Sequence, residues 1–167
     1  MEKRRGGVYK TFNFRKLVFA SYFVIVFVYL VIGFMPAEAA HYDISSTLSI
    51  PSIELNSDVT TLELTDHKLN TPDHIVGSYS RAKNKTLLIG HSTTVFNNLE
   101  SVSVGDEIIY DGKTYHITTL SIEQKEEINM RKLLSSAEKD TIILMTCTGD
   151  SLSEYDYTQR FIVVATI

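Results

Sequence analysis

Cysteine is almost absent from this chain. Cys147 is the only one among 167 residues, which excludes an internal disulfide and a zinc site built from several cysteines. Apart from His91, the histidines also lack a ligand spacing such as His-x-x-x-His; they are His41, His67, His74 and His116. The sequence therefore predicts no zinc, and internal repeats and low-complexity tracts are absent as well.

Positive charge is scarce beyond the N-terminus. Six of the 16 lysines and arginines, but only one of the 20 acidic residues, lie in residues 1–16, which leaves 10 basic against 19 acidic residues in the rest. Phosphate binding needs a basic surface. An acidic body therefore makes nucleic acid an unexpected partner.

Charge is missing altogether from residues 17–34, "LVFASYFVIVFVYLVIGF". This length covers most of a hydrocarbon core of roughly 30 Å, and we predict a membrane anchor over 17–35. The positive-inside rule keeps the basic tail, 1–16, in the cytoplasm and places the rest outside the cell, as a single-pass membrane protein. A signal peptide cleaved near Ala39 is the alternative. We favour a retained anchor because the apolar run exceeds the roughly 7 to 15 residues of a usual signal core.

After a linker over 36–46, the pattern changes to two-residue alternation, which predicts a β domain over 47–167. Asp111-Gly112 between two such runs is a hairpin signal, and Pro51 suggests a bulge or kink in an edge strand. The strand candidates are "TLSIPSIEL" (47–55), "KTLLIG" (85–90), "DEIIYD" (106–111), "KTYHITTLSI" (113–122), "TIILMTC" (141–147) and "RFIVVATI" (160–167). Short helices are expected at 95–102 and 129–139. The predicted fold class is mainly antiparallel β, closed into a barrel or a sandwich.

Three residues at the ends of predicted strands could carry chemistry together. His91 follows "KTLLIG", Cys147 ends "TIILMTC", and Arg160 begins the last strand. Acyl transfer by cysteine needs a thiolate, an imidazole and a donor for the developing oxyanion. Taken singly, a buried cysteine is usually structural, a histidine a surface residue and an edge arginine solvated. The three can act as one site only if their strands are neighbours.

The sequences around these residues resemble the sortase family of cell-surface transpeptidases. "LSIPSIEL" is similar to the first strand of the family's barrel, and "LLIGHSTTVFNNLESVSVGDEIIYDGKTYHI" to its histidine block. "ILMTC" (143–147) is similar to the family's Thr-Leu-x-Thr-Cys, with Ile143 in place of the first Thr, and "RFIVVATI" to its terminal arginine strand. The resemblance covers about residues 47–167 and implies a closed sortase-like β-barrel. Ser92 and Gln159 depart from many relatives, which leaves the subclass open.

This resemblance implies a catalytic mechanism and partners. Cys147 would attack the carbonyl of an LPXTG-like sorting signal on a surface protein, and an amine from a peptidoglycan precursor or a pilin lysine would resolve the thioester. His91 would serve as acid and then base, and Arg160 would steady the substrate and the oxyanion. Thr146 would support the site, and a backbone N–H near Thr148 would add to the oxyanion hole.

A bound metal is the weaker expectation. "SIEQKEEINM" (121–130) falls where the family places a substrate-lining loop, and Glu123, Glu126 and Glu127 resemble acidic residues that bind calcium in some relatives. Calcium needs several oxygen ligands from a shaped loop, and such a run is more often a solvated face. We predict no cofactor.

Two alternatives compete with the sortase interpretation. The L,D-transpeptidases also use cysteine and histidine on a β scaffold, but their Ser-x-Gly-Cys block is missing because Cys147 follows "LMT". A non-catalytic, membrane-tethered extracellular β domain that binds a wall component would leave Cys147 simply buried.

Overall fold

The two-residue alternation of the sequence produces strands. In the computed structural model, which describes residues 42–66, 68–153 and 156–167, these residues form ten β-strands. They are β1 (Ile44–Ile50), β2 (Leu55–Thr61), β3 (Leu64–Thr65), β4 (Lys68–Leu69), β5 (Val76–Ala82), β6 (Lys85–Ile89), β7 (Glu107–Tyr110), β8 (Lys113–Gln124), β9 (Thr141–Ser153) and β10 (Asp156–Thr166).

Eight of the strands close into a barrel, in the order β1-β2-β5-β6-β9-β10-β8-β7, with β7 pairing back to β1. β3 and β4 form a separate hairpin. Two barrel pairs, β2 with β5 and β6 with β9, are parallel and the others are antiparallel. The predicted mainly β, closed barrel with short helices is confirmed.

The barrel interior is filled by alternate residues of its strands, each worth about 1.5–3 kcal/mol when fully buried. The largest fully buried side chain is Phe96, in the loop after β6. A smaller cluster, here called the outer cluster, is centred on three buried residues of the opposite strand face, Leu87, Ile143 and Ile162. Met145 packs against this outer cluster and lies two residues before the candidate residue Cys147.

The turns explain two features of the sequence. Asp111 and Gly112 have φ of 49° and 72°, and Tyr110 pairs with Lys113, so the predicted hairpin is confirmed. The expected kink at Pro51 is wrong: Pro51–Ile53 forms a 3₁₀ turn that reverses the chain, and Ile50 pairs with Leu55 across it. Proline cannot donate a ladder hydrogen bond, but it fits the start of such a turn.

The barrel also begins earlier than expected. β1 starts inside the predicted linker 36–46, and its first residue, Ile44, pairs with Thr60 of β2. Polar residues over 43–46 concealed this part of the strand, because their partners on β2 lie far away in sequence.

Helices are shorter than expected. The α-helix α1 covers Met130–Leu133, capped by Asn129, instead of the predicted 129–139. The chain after α1 returns to the barrel, where the amide of Asn84 donates to the carbonyl of Ala137 at 3.4 Å. The residues after α1 thus contact the barrel where the sequence predicted further helical turns. The other expected helix, 95–102, reduces to irregular turns and a 3₁₀ turn over Leu99–Ser101.

The predicted tail 1–16, the anchor 17–35, most of the linker and the residues His41 and His67 lie outside the described residues. Within the described part of the chain, no helix has the length and apolar character that crossing a membrane requires.

Candidate active site

The parallel pairing of β6 and β9 places His91 level with Cys147. Ile89 pairs with Met145 in this register, and His91 and Cys147 each lie two residues further along their strands. Beyond the last paired residue, the Thr146 hydroxyl donates to the carbonyl of Gly90 at 2.8 Å and holds the two strands together. Neighbouring strands lie roughly 4.7–4.9 Å apart. His91, two residues after the end of β6, therefore lies beside Cys147 on the adjacent strand β9.

β10 supplies the third predicted residue. Arg160 pairs directly with Cys147 in the antiparallel pair of β9 and β10, and directly opposed residues place their side chains on the same face of a sheet. The register thus brings His91, just past the end of β6, into one row with Cys147 of β9 and Arg160 of β10. We call this set the catalytic row.

The strands do not end where the sequence suggested. β9 continues past Cys147 to Ser153, and β10 begins at Asp156, so Cys147 and Arg160 lie inside their strands. Gly149 has φ of 81°, a backbone conformation that glycine tolerates. The sequence "TGD" therefore does not end the strand. It lies within the long antiparallel pair of β9 and β10, and β10 continues to pair with β9 beyond it.

The catalytic row lies on the outer face of the barrel. Thr146 and Phe161 are buried on the inner face, so their neighbours Cys147 and Arg160 point the other way. Cys147 is half-buried and follows Met145, which packs on the outer cluster. The same strands thus present a packed core inward and the candidate residues outward.

The inner face fixes the position of His91. A Cβ atom at Gly90 would lie 2.7 Å from Cδ2 of Phe96, so the backbone before His91 packs directly on a core aromatic. The backbone N–H groups of Thr94 and Phe96 donate to the carbonyl of His91 at 3.3 Å and 3.0 Å. The histidine is held by a loop anchored in the core.

Asp73 is a site residue that the sequence analysis missed. Its Oδ1 lies 3.9 Å from Nε2 of His91, and the two side chains are 70% and 18% exposed, respectively. The Thr94 hydroxyl donates to the backbone carbonyl of Asp73, which attaches this segment to the histidine loop. No sequence signal linked Asp73 to His91, because the contact depends on the path of the chain before β5.

Arg160 is oriented by its own strand. Its Nη1 donates to the carbonyls of Tyr157 and Gln159 at 3.0 Å and 2.8 Å. Because a guanidinium has five N–H donors, Nη2 and Nε can still donate to a substrate oxygen. Nearby, Lys125 holds the pKa of Asp156 below its usual range through a 2.5 Å contact, with a smaller contribution from Arg160.

A groove of about 440 Å³ leads away from the catalytic row. Its apolar lining includes Leu64 and Leu69 of the β3–β4 hairpin, Met130 and Leu134 at the start of α1 and just after its end, Ile89 on β6 and Met145 on β9. An extended peptide could lie along it with an apolar side chain between the hairpin and α1. Local sequence patterns did not predict this groove, because neither β5 nor the β3–β4 hairpin was expected.

The supporting residues differ in position. Thr146 is 2% exposed, and its hydroxyl donates to the carbonyl of Gly90. It therefore supports the site by holding the backbone next to His91. Thr148 follows Cys147 on β9, is half-buried and lies outside the groove lining.

The acidic residues of the segment 121–130 are spread over two elements. Glu123 ends up on β8, where it pairs with Arg160, and Glu126 and Glu127 are exposed on a 3₁₀ turn. Across 42–66, 68–153 and 156–167, no three side chains of His, Cys, Asp or Glu converge on a common point.

Comparison with known proteins identifies the family. The family model described as the Sortase domain matches residues 48–167. The chain belongs to the sortase family. The resemblance of its sequence blocks to the sortase family is thereby confirmed. Among curated protein sequences, none matches the chain.

Solved sortases share the fold of this family member. Sortase A from Corynebacterium diphtheriae is 23% identical with a TM-score of 0.59, over 77% of this chain and 62% of that one. Sortase A from Listeria monocytogenes is 18% identical with a TM-score of 0.57, over 74% of this chain and 86% of that one. Sortase C-1 from Actinomyces oris is 24% identical with a TM-score of 0.56, over 74% and 71%.

The bond between Thr146 and Gly90 makes a testable prediction. Thr146→Val should lower the free energy of unfolding by about 1–3 kcal/mol, because it leaves the buried Gly90 carbonyl without its donor. It should also reduce kcat/KM by roughly tenfold or more, since the residue after Gly90 is His91 and small misplacements at a reacting centre are costly. Urea unfolding and peptide cleavage measure the two effects.

The matched control is Thr60→Val. Thr60 is also buried, and its hydroxyl donates to the carbonyl of Asp43 at 2.8 Å, on β2 away from the catalytic row. This control should lose less stability, because Asp43 is exposed and water can replace the lost donor, and it should keep its activity. Equal losses of activity in both variants would contradict a positioning role for Thr146.

Proposed function

We propose that this sortase-family protein is a cysteine transpeptidase that cleaves an LPXTG-like C-terminal sorting signal of a surface protein. The cleaved surface protein is then joined to an amine, which comes from a peptidoglycan precursor or from a pilin lysine. The supporting observation is the catalytic row, in which His91, Cys147 and Arg160 are aligned by strand register on one face. The adjoining groove is of a size and shape suited to an extended peptide.

The first half-reaction forms the acyl-enzyme. With the thiol proton on His91, Cys147 Sγ attacks the scissile carbonyl carbon and forms a C–S bond. The carbonyl oxygen becomes negative and is stabilised by the Arg160 guanidinium and by a backbone N–H near Thr148. The C–N bond then breaks, and His91 gives its proton to the leaving amine.

The second half-reaction reverses these roles. An incoming amine attacks the thioester carbonyl, and His91 accepts a proton from it. The C–S bond breaks, a new amide bond forms, and Cys147 regains its resting state. The acyl fragment stays bound through both steps while the amine fragments exchange.

The decisive experiment is the intact mass of the full chain, purified in detergent, after incubation with Leu-Pro-x-Thr-Gly peptides without an amine acceptor. We expect a mass increase equal to the N-terminal peptide fragment, because without an amine only water can consume the thioester and acyl-enzyme accumulation is the kinetic mark of covalent catalysis. Thiol alkylation of the same sample reports whether Cys147 is accessible. A folded protein without adduct or cleavage, whose Cys147 also resists alkylation, would favour the non-catalytic wall-binding β domain.

We further propose the membrane arrangement that the sequence suggests, with a cytoplasmic tail (1–16), an anchor (17–35) and an extracellular catalytic domain. The charge-free run of the anchor and the basic residues before it support this orientation. Protease added to intact cells should cut the chain between the anchor and the barrel, so that the full-length chain is lost. Protection of the barrel until the cells are lysed would contradict this arrangement.

A further inference from the structure

The groove beside the catalytic row carries an unusual charge for this protein. Three arginines line it, Arg81, Arg131 and Arg160, together with His91, and no acidic residue among those described contributes to its lining. Residues 17–167 contain almost twice as many acidic as basic residues. A positive groove in an acidic domain is therefore a local feature, and it attracts negative charge.

Two of these arginines have no part in the proposed chemistry. Arg81 lies on β5 and Arg131 on α1, and both side chains are exposed at the groove. The ion pairs within the described ranges are His91–Asp73, Lys113–Asp140 and Lys125–Asp156. Neither Arg81 nor Arg131 is neutralised by a described carboxylate.

The sheet register places Arg81 far from Cys147 along the groove. Tyr79 of β5 pairs with Leu87 of β6, four residues before His91, and Arg81 lies two residues further in the same direction. Ala82 pairs with Lys85, so Arg81 lies level with the start of β6, five to six residues before His91. At roughly 3.3 Å per residue, this corresponds to about 16–20 Å from the catalytic row. An extended peptide has a similar rise, so the residue facing Arg81 is about five or six positions from the scissile bond.

The direction of the bound peptide follows from the two half-reactions. The acyl fragment must be held through both steps, whereas the amine side must empty and refill. The groove extends from the catalytic row towards β5 and α1, and it is therefore the place for the acyl fragment. Its far end faces residues N-terminal to the cleaved bond.

We propose that Arg81, assisted by Arg131, selects sorting signals that carry an acidic residue about five or six positions N-terminal to the scissile bond, just upstream of the Leu-Pro-x-Thr-Gly motif. The inference rests on the proposed function and adds a substrate preference to it. A guanidinium binds a carboxylate through paired N–H donors. The contact is remote from the reacting atoms and equally present before and during the reaction, so it should act mainly on KM.

The test uses the full chain in detergent and Leu-Pro-x-Thr-Gly peptides that differ only in having Glu, Gln or Lys at each upstream position. Cleavage is measured without an amine acceptor, which isolates the acyl fragment. We expect Glu to be preferred over Lys by about 3- to 10-fold in kcat/KM at one or two positions, since the site is open to solvent. Arg81→Ala should remove most of this preference, and Arg81→Glu should reverse it.

Lys83→Glu is the matched control. Lys83 lies two residues after Arg81, is exposed and does not line the groove, so the same charge reversal there should leave the preference unchanged. Equal changes in both variants would mean a general field effect and would overturn the assignment.

The remaining outcomes separate this inference from the proposed function. Cleavage of all peptides at the same rate would overturn the charge preference and leave the transpeptidase standing. In a second measurement, amine acceptors of different charge are added; a charge preference that appears only then would place the anion on the other substrate, and would also overturn the inference. Absence of cleavage and adduct with every peptide would remove the proposed function, and this inference with it.

Discussion

Cys147→Ala should abolish the acyl-enzyme and lower turnover by about 10⁴-fold or more, the order of loss seen when a covalent nucleophile is removed. No other cysteine exists in the chain to replace it. The neighbouring strand residues keep their own contacts, because Cys147 is half-buried on the outer face while Thr146 carries the bond to Gly90. Removing one sulfur at such a position should change the free energy of unfolding by about 1 kcal/mol or less.

The measurements are the intact mass after peptide incubation, the cleavage rate and urea unfolding of the wild type and the variant. Alkylation of the folded wild type is the complementary experiment, because a thiol in the groove should react and a structural thiol should not. Cleavage that survives in Cys147→Ala would contradict the proposed nucleophile. A variant that unfolds would instead mean that Cys147 is a packing residue.

Arg160→Ala should lower kcat by about 10²–10³-fold, the usual effect of losing one donor to an oxyanion. Arg160→Lys should recover only part of this loss, since an ammonium keeps the charge but not the planar set of donors. In the protein, Nη1 is already bonded to the carbonyls of Tyr157 and Gln159, which orients the guanidinium before substrate binds. The expected defect is thus in kcat more than in KM.

Lys85→Ala is the control for this prediction. Lys85 is a half-buried cation on β6, at the end of the strand away from His91, where it pairs with Thr141. Its loss should leave kcat within about twofold, as expected of a substitution away from the site. A kcat of Arg160→Ala equal to that of the wild type, with only KM raised, would show that Arg160 binds substrate and does not stabilise the oxyanion.

Local sequence signals predicted most of the barrel. The β6, β7 and β8 strands were found within a few residues of their bounds, because branched residues alternate there and Asp111-Gly112 defines the hairpin. β5 was missed. Its sequence, "VGSYSRA", contains glycine and two serines, and it is stabilised by pairing with β2 and β6, which single-sequence patterns do not report.

The candidate site was predicted in part for the same reason. His91, Cys147 and Arg160 could be selected by residue type and flanking blocks, but their alignment depends on a parallel β6–β9 pair and an antiparallel β9–β10 pair. Asp73 and Arg81 had no local signal. Both reach the site through the path of the chain around β5.

By itself, the sequence determined the mainly β fold class, the hairpin at Asp111-Gly112 and the identities of the three candidate residues, since alternation, turn chemistry and residue type are local properties. Tertiary structure alone decided the strand order, the register that aligns His91 with Cys147 and Arg160, and the charge of the groove beside them. Register is set by which faces can be buried together, and shifting a strand by one residue would turn Cys147 into the core.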